Sequence, residues 1–85
     1  MIYFAEYTDT FGGEANYSWI HRFKVSANSL KHALTKVKQE LYYAPLPKHK
    51  LSDYGDMLRA DIGFDCIFVQ EFSEHDEQYT NIKEL

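Results

Sequence analysis

Eighty-five residues with a formal net charge of −4 make one small domain, below the commonest domain size. A single cysteine, Cys66, excludes an intrachain disulfide framework and suits a reducing compartment, where it reads as a small buried hydrophobe. No run approaches the ~20 apolar residues of a membrane span, and no positive region followed by an apolar run opens the chain, so neither a membrane partner nor a secretory signal is expected.

Residues 2–8 are rich in β-formers, and Tyr17, Trp19, His21, Phe23 and Val25 alternate with the mostly polar Ser18, Arg22 and Lys24. That is the period-two pattern of a strand with one buried face. Between these segments Gly12-Gly13 can adopt the positive φ of a tight turn, which predicts an N-terminal β-hairpin, with a longer ordered loop as a variant. Asn28 or Ser29 then offers a helix cap, and Leu30, Leu34, Val37 and Leu41 follow at helical spacing until Pro45 and Pro47 stop the helix. Residues 53–60 suggest a short helical turn, kept short by Gly55. Phe64 to Phe72 reads as a third strand with apolar residues on both faces. From Ser73 the chain turns acidic, and residues 73–85 are expected to form a flexible tail on a domain of residues 1–72.

These elements define an α+β fold of ββαβ type with an added helical turn. A right-handed crossover places the third strand antiparallel beside the first, giving the sheet order 2-1-3. One helix covers one face of such a sheet. The other face is expected either to serve a homodimer or partner interface, or to be covered by the tail or by residues 45–60.

Charge is divided unevenly along the chain. Residues 1–23 carry a net −2, residues 24–50 a net +5 and residues 51–85 a net −7. The basic segment raises the possibility of a nucleic-acid face built from Lys31 and Lys38 with Tyr42, against the plainer reading of a solvated helix face. No RNP-type aromatic motif or helix-turn-helix supports the nucleic-acid alternative.

Four histidines are scattered without metal-ligand spacing, no nucleophile–base pattern stands out, and Gly12-Gly13 lacks the context of a phosphate loop. No metal, no cofactor and no catalytic residue is therefore expected, and an enzyme is disfavoured. Asp9, Glu14 and Asn16 flank the glycine turn and either hold the backbone or present a surface; they lack the ligand order of a calcium loop. Phe11, Glu14, Asn16 and Tyr17 are the candidate partner-binding residues, with Phe11 as anchor, while Trp19 is assigned to the core.

The run Asp9-Thr10-Phe11-Gly12-Gly13-Glu14-Ala15-Asn16-Tyr17-Ser18-Trp19 resembles a D-T-[FY]-G-G-E-x-N-Y-x-W segment of small uncharacterised proteins encoded by bacteriophages. The resemblance is confined to the first quarter of the chain. It implies a phage or prophage origin and the cytoplasm of an infected bacterial host, and it implies no activity. The combined expectation is a non-enzymatic accessory protein that binds a host or phage protein, inhibiting host machinery or a defence system. The alternative is a small nucleic-acid-binding module.

Overall fold

The computed structural model describes all residues from Met1 to Leu85. In chain order it contains β1 (Ile2–Phe11), β2 (Glu14–Ser26), α1 (Leu30–Leu41), β3 (Lys50–Asp53), β4 (Met57–Ile62), β5 (Asp65–Glu71), a 3-10 turn over Glu74–Gln78, and β6 (Ile82–Glu84). The strands form one sheet in the order β3-β4-β5-β1-β2-β6. All neighbours are antiparallel except β2 and β6, which run parallel.

The hairpin of β1 and β2 turns at Gly12 and Gly13, whose φ values of 63° and 85° lie in the left-handed region that glycine adopts without a Cβ clash. Ser29 caps α1 by accepting a hydrogen bond from the His32 amide at 3.1 Å, which satisfies one of the free donors of the first turn. Leu34, Val37 and Ala33 on the inner stripe of α1 are buried against Tyr3, Ala5, Phe23, Val25, Ala60, Ile67 and Val69 of the sheet. Each fully buried Val or Leu side chain contributes about 1.5–3 kcal/mol. This helix-covered side is the principal core.

Six strands overturn the expected three-stranded ββαβ arrangement; the expected neighbours survive inside the larger sheet, where the strand read as third, β5, lies antiparallel beside β1. The segment read as a helical turn is instead the end of β3, a tight turn and β4. Asp53 accepts the Gly55 amide at 2.8 Å, which closes an Asx-type turn, and Gly55 takes φ 89°. Leu58, Ala60 and Ile62 then alternate inward while Met57, Arg59 and Asp61 alternate outward. A second glycine turn at Gly63, φ 59°, leads into β5 and leaves Phe64 outside the strand.

The expectation of a flexible tail from residue 73 is also corrected. Apolar groups spaced along that acidic segment find sites on the sheet. Tyr79 stacks on Phe4 with ring centroids 5.6 Å apart, and Leu85 packs against the core. The Leu85 amide donates to the Lys24 carbonyl at 2.8 Å, and the Ser26 amide donates to the Leu85 carbonyl at 3.1 Å. Buried Asp76 accepts from the Ser73 amide and hydroxyl, which closes the turn between β5 and β6.

Candidate functional site

The face of the sheet opposite α1 is covered over part of its area. Residues 72–79 lie across its β1–β2 end, where Arg22 sits 3.9 Å from the centroid of Tyr79 and Lys24 sits 4.7 Å from that of Phe72. What remains open lies between the hairpin tip and β3. The strand registers place Lys50 and Ser52 of β3, Met57, Arg59 and Asp61 of β4, Phe68 and Gln70 of β5, and Phe4 and Glu6 of β1 on this side.

Two hollows occupy it. A broad polar groove of about 580 Å3 runs beneath the hairpin tip, between Thr10, Gly12 and Gly13 on one side and Lys50, Ser52 and Tyr54 on the other. Arg59 and Asp61 are also in its lining, together with Phe64. A smaller, more apolar pocket of about 160 Å3 is lined by Phe4, Glu6, Tyr17, Met57, Phe68 and Gln70. Arg59 stands between them. Its guanidinium pairs with Asp61 at 2.9 Å, donates to the Gly13 carbonyl at 2.6 Å and lies 5.5 Å from the Phe68 centroid. The Asp61 hydrogen bond holds the Arg59 pKa above its ordinary value. Thus one arginine fastens the hairpin tip over the sheet and separates the two hollows.

The rim is aromatic. Phe11 at the hairpin turn is 82% exposed and Phe64 at the β4–β5 turn is 87% exposed. The two turns are neighbours, because the Thr10 amide donates to the Phe64 carbonyl at 2.7 Å. Tyr54, on the turn after β3, is also exposed. Large apolar rings held on adjacent turns, with glycine-set backbones beneath them, are groups that a partner can desolvate.

The other wall of the pocket depends on a local irregularity in the hairpin. Thr8 pairs with Ile20, yet Thr10 pairs with Ala15, so Asn16 to Trp19 bulge opposite the single residue Asp9. The Asp9 carboxylate gathers the bulge. It accepts Asn16 Nδ2 at 3.1 Å, the Ser18 amide at 3.0 Å and the Ser18 hydroxyl. The Ser18 hydroxyl above all, then Asn16 and the Ser18 amide, lower the Asp9 pKa to about 2. Within the bulge Tyr17 takes φ 55°, a left-handed conformation that a bulky non-glycine residue rarely adopts. Strict alternation would put Tyr17 on the same side as Trp19, which packs on Tyr7 at 4.8 Å on the helix side. Instead Tyr17 stacks parallel to Phe68, centroids 6.4 Å apart, on the open side.

The candidate residues therefore separate. Tyr17 borders the open face, Phe11 is exposed at the hairpin turn, Asn16 serves the bulge, and Glu14 is exposed at the start of β2. Ser18, Arg59, Phe64, Tyr54 and Lys50 join the site without having been singled out. Of the proposed lysine face, Lys31 is exposed. Lys38 is only 8% exposed and donates to the Pro47 carbonyl at 2.6 Å beside His49 Nδ1 at 2.9 Å. Tyr42 turns inward, its hydroxyl donating to that of Tyr7 at 3.3 Å, which in turn donates to Asp65 at 2.8 Å. Burial, then the bonds to Tyr42 and Asp65, push the Tyr7 hydroxyl far above its ordinary pKa, and burial raises that of Tyr42. Cys66 is fully buried and burial pushes its thiol up to about 11. No group of three or more His, Cys, Asp or Glu side chains is arranged to hold a metal ion.

Fold and site together describe an α+β domain with a helix on one face of a six-stranded sheet and a partly open, aromatic-rimmed groove on the other. No protein-family model matches the chain, and no curated protein or solved structure is detectably similar to it. No helix is long and apolar enough to cross a membrane.

Proposed function

We propose that this protein is a non-enzymatic binding module that engages another protein through the open side of its sheet at the hairpin end. The carrying observation is the pair of exposed rings, Phe11 and Phe64, held on hydrogen-bonded neighbouring turns, with Phe64 at the edge of a groove. Rings on such turns lose little conformational freedom when a partner covers them, which is the usual character of an interface anchor. The ionisable groups favour binding over chemistry. Tyr7, Tyr42 and Cys66 are all held more firmly in their protonated forms, opposite to the tuning of a nucleophile. The resemblance of residues 9–19 to phage-encoded proteins extends the reading to a phage accessory protein whose partner is a host or phage protein in the infected bacterium, with inhibition of that partner as the outcome.

The test is affinity capture from bacterial lysate with wild-type protein and with the Phe11→Ala/Phe64→Ala variant. Both substituted rings are exposed, so the variant keeps its fold. A specific partner recovered by the wild type and lost by the variant is the expected result. If folded wild-type protein recovers nothing specific, or the variant recovers the same partner equally well, the reading fails. The nucleic-acid alternative has little support, because Lys38 and Tyr42 are engaged inside the fold.

A further inference from the structure

One wall of the open face departs from the alternation of its strand. The bulge shifts the β1–β2 register by three residues, which sets Phe23 and Val25 toward α1, and within it Tyr17 is held left-handed by the Asp9 clamp. The result is an aromatic side chain transferred from the helix side of the sheet to the open side, where it closes a pocket over Phe4, Met57 and Phe68. Backbone strain kept in place by three convergent hydrogen bonds is characteristic of binding and catalytic positions.

Size and charge select the occupant. At about 160 Å3 the pocket is below the ~300 Å3 or more of small-molecule sites and suits one amino-acid side chain. Its lining is mostly apolar. The acids around it are already paired, Glu6 with Arg22 at 3.1 Å and Asp61 with Arg59 at 2.9 Å. Asp53 is turned to the backbone of its own loop, accepting the Gly55 amide. Lys50, opposite Asp61 in the β3–β4 register, makes no ion pair of its own and lines the polar groove together with Arg59. An apolar hole and a lysine free of any ion pair therefore lie on one surface, with Arg59 between Lys50 and Phe68 of the pocket.

Resting on the protein-binding reading above, we propose that this surface takes an extended acidic segment of the partner: an apolar side chain enters the Tyr17 pocket, and a neighbouring carboxylate is received by Lys50. Met57 adapts the pocket to the shape of the apolar group, and Glu6 at its edge disfavours a second carboxylate inside it. Tyr17 is thus a specificity-determining residue, and Asp9 a positioning residue that acts through it.

A random-peptide display library, selected separately on wild-type protein, Tyr17→Gly and Lys50→Glu, tests this. Glycine accepts φ 55° without strain, so the first variant removes the wall and retains the bulge. The wild type is expected to enrich peptides that pair an apolar residue with a nearby Asp or Glu. Those peptides should bind Tyr17→Gly about tenfold or more weakly, and Lys50→Glu should lose the acidic preference. Amide shift changes on binding should centre on Tyr17, Met57, Phe68 and Lys50. Enrichment of basic peptides, absence of enrichment, or selected peptides that bind both variants as well as the wild type would each overturn the proposal. The natural partner separates this failure from that of the broader reading. If its capture persists with Tyr17→Gly and is lost with Phe11→Ala/Phe64→Ala, the module binds protein but not through this pocket.

Discussion

Replacing Tyr79 by alanine asks whether the acidic C-terminal segment belongs to the fold. The ring stacks on Phe4 at 5.6 Å with an interplanar angle of 12°, and Arg22 lies 3.9 Å from its centroid. An aromatic pair contributes about 0.5–1.5 kcal/mol beyond its buried area. The partly exposed cation–π contact adds about 0.5–1 kcal/mol. Returning a half-buried ring to water costs about 1 kcal/mol more. The expected loss is roughly 2–3 kcal/mol, a large share of the roughly 4–13 kcal/mol that a chain of this length is expected to hold. For a domain of this size it lowers the melting temperature by roughly 10–20 °C. Urea unfolding followed by circular dichroism measures the free energy, and calorimetry measures the midpoint. A double-mutant cycle with Arg22→Ala isolates the cation–π share, with an expected coupling of about 0.5–1 kcal/mol. A loss below about 0.5 kcal/mol, the range of an ordinary surface substitution, would refute the packed arrangement and restore a frayed tail.

Three further outcomes follow from groups elsewhere in the molecule. Because the Asp9 pKa is lowered to about 2, its clamp is fully present above the unbound value of 3.8 and is lost as pH falls through about 2. The Ser18 amide resonance should report that transition, and Asp9→Ala should speed exchange of the same amide at neutral pH; a Ser18 amide unaffected by either change would contradict the clamp. Burial, with Lys38 beside it, lowers the His49 pKa below 6.5, so the unfolded chain takes up the proton first and stability declines as pH falls below 6.5. Titration of the His49 ring protons should give a midpoint below 6.5, and His49→Gln should flatten that part of the stability profile. Cys66 is fully buried with its thiol pushed up to about 11, so disulfide-reagent labelling at neutral pH should be slower than in denaturant by about a thousandfold or more. Rapid labelling of the native protein would place the thiol at the surface.

How much of this was legible in the sequence depends on how each element is encoded. The first hairpin and α1 announce themselves through local signals: Gly12-Gly13, the alternation from Trp19 to Val25, the Ser29 cap and the four-residue spacing of Leu30 and Leu34. The β3–β4 hairpin was obscured because its strands are short and Asp53-Tyr54-Gly55-Asp56 resembles a helix start as much as an Asx turn. The alternation of Leu58, Ala60 and Ile62 up to Gly63 was the readable signal for β4, and it favours a strand over a helical turn. The C-terminal segment was obscured by composition. Its acids dominate any local average, while the residues that dock, Tyr79, Ile82 and Leu85, follow no regular period because they meet three different surfaces. Such long-range contacts leave no periodic trace.

The candidate site was the least legible part, for a reason that also bears on its function. Tyr17 fits the inward alternation of β2 in the sequence, and nothing local marks it as the residue that departs from it. Its departure requires Asp9, eight residues earlier, to accept from both Asn16 and Ser18 across the hairpin. The same registration brings Gly13 over Arg59, which in turn reaches Asp61 on β4, a strand hidden in the sequence, and Phe68 on β5. The open face is therefore assembled from single side chains on β1, β2, β4 and β5, each held by a contact to another strand. A surface built this way is sensitive to the register of the whole sheet. Asp9→Ala should accordingly weaken the wall at Tyr17 while leaving the α1-packed core intact, because the two lie on opposite faces and share no side chain. Loss of partner binding with retained protection of the Val25 and Val69 amides would be the expected signature; global loss of protection would show that the clamp supports the fold rather than the pocket.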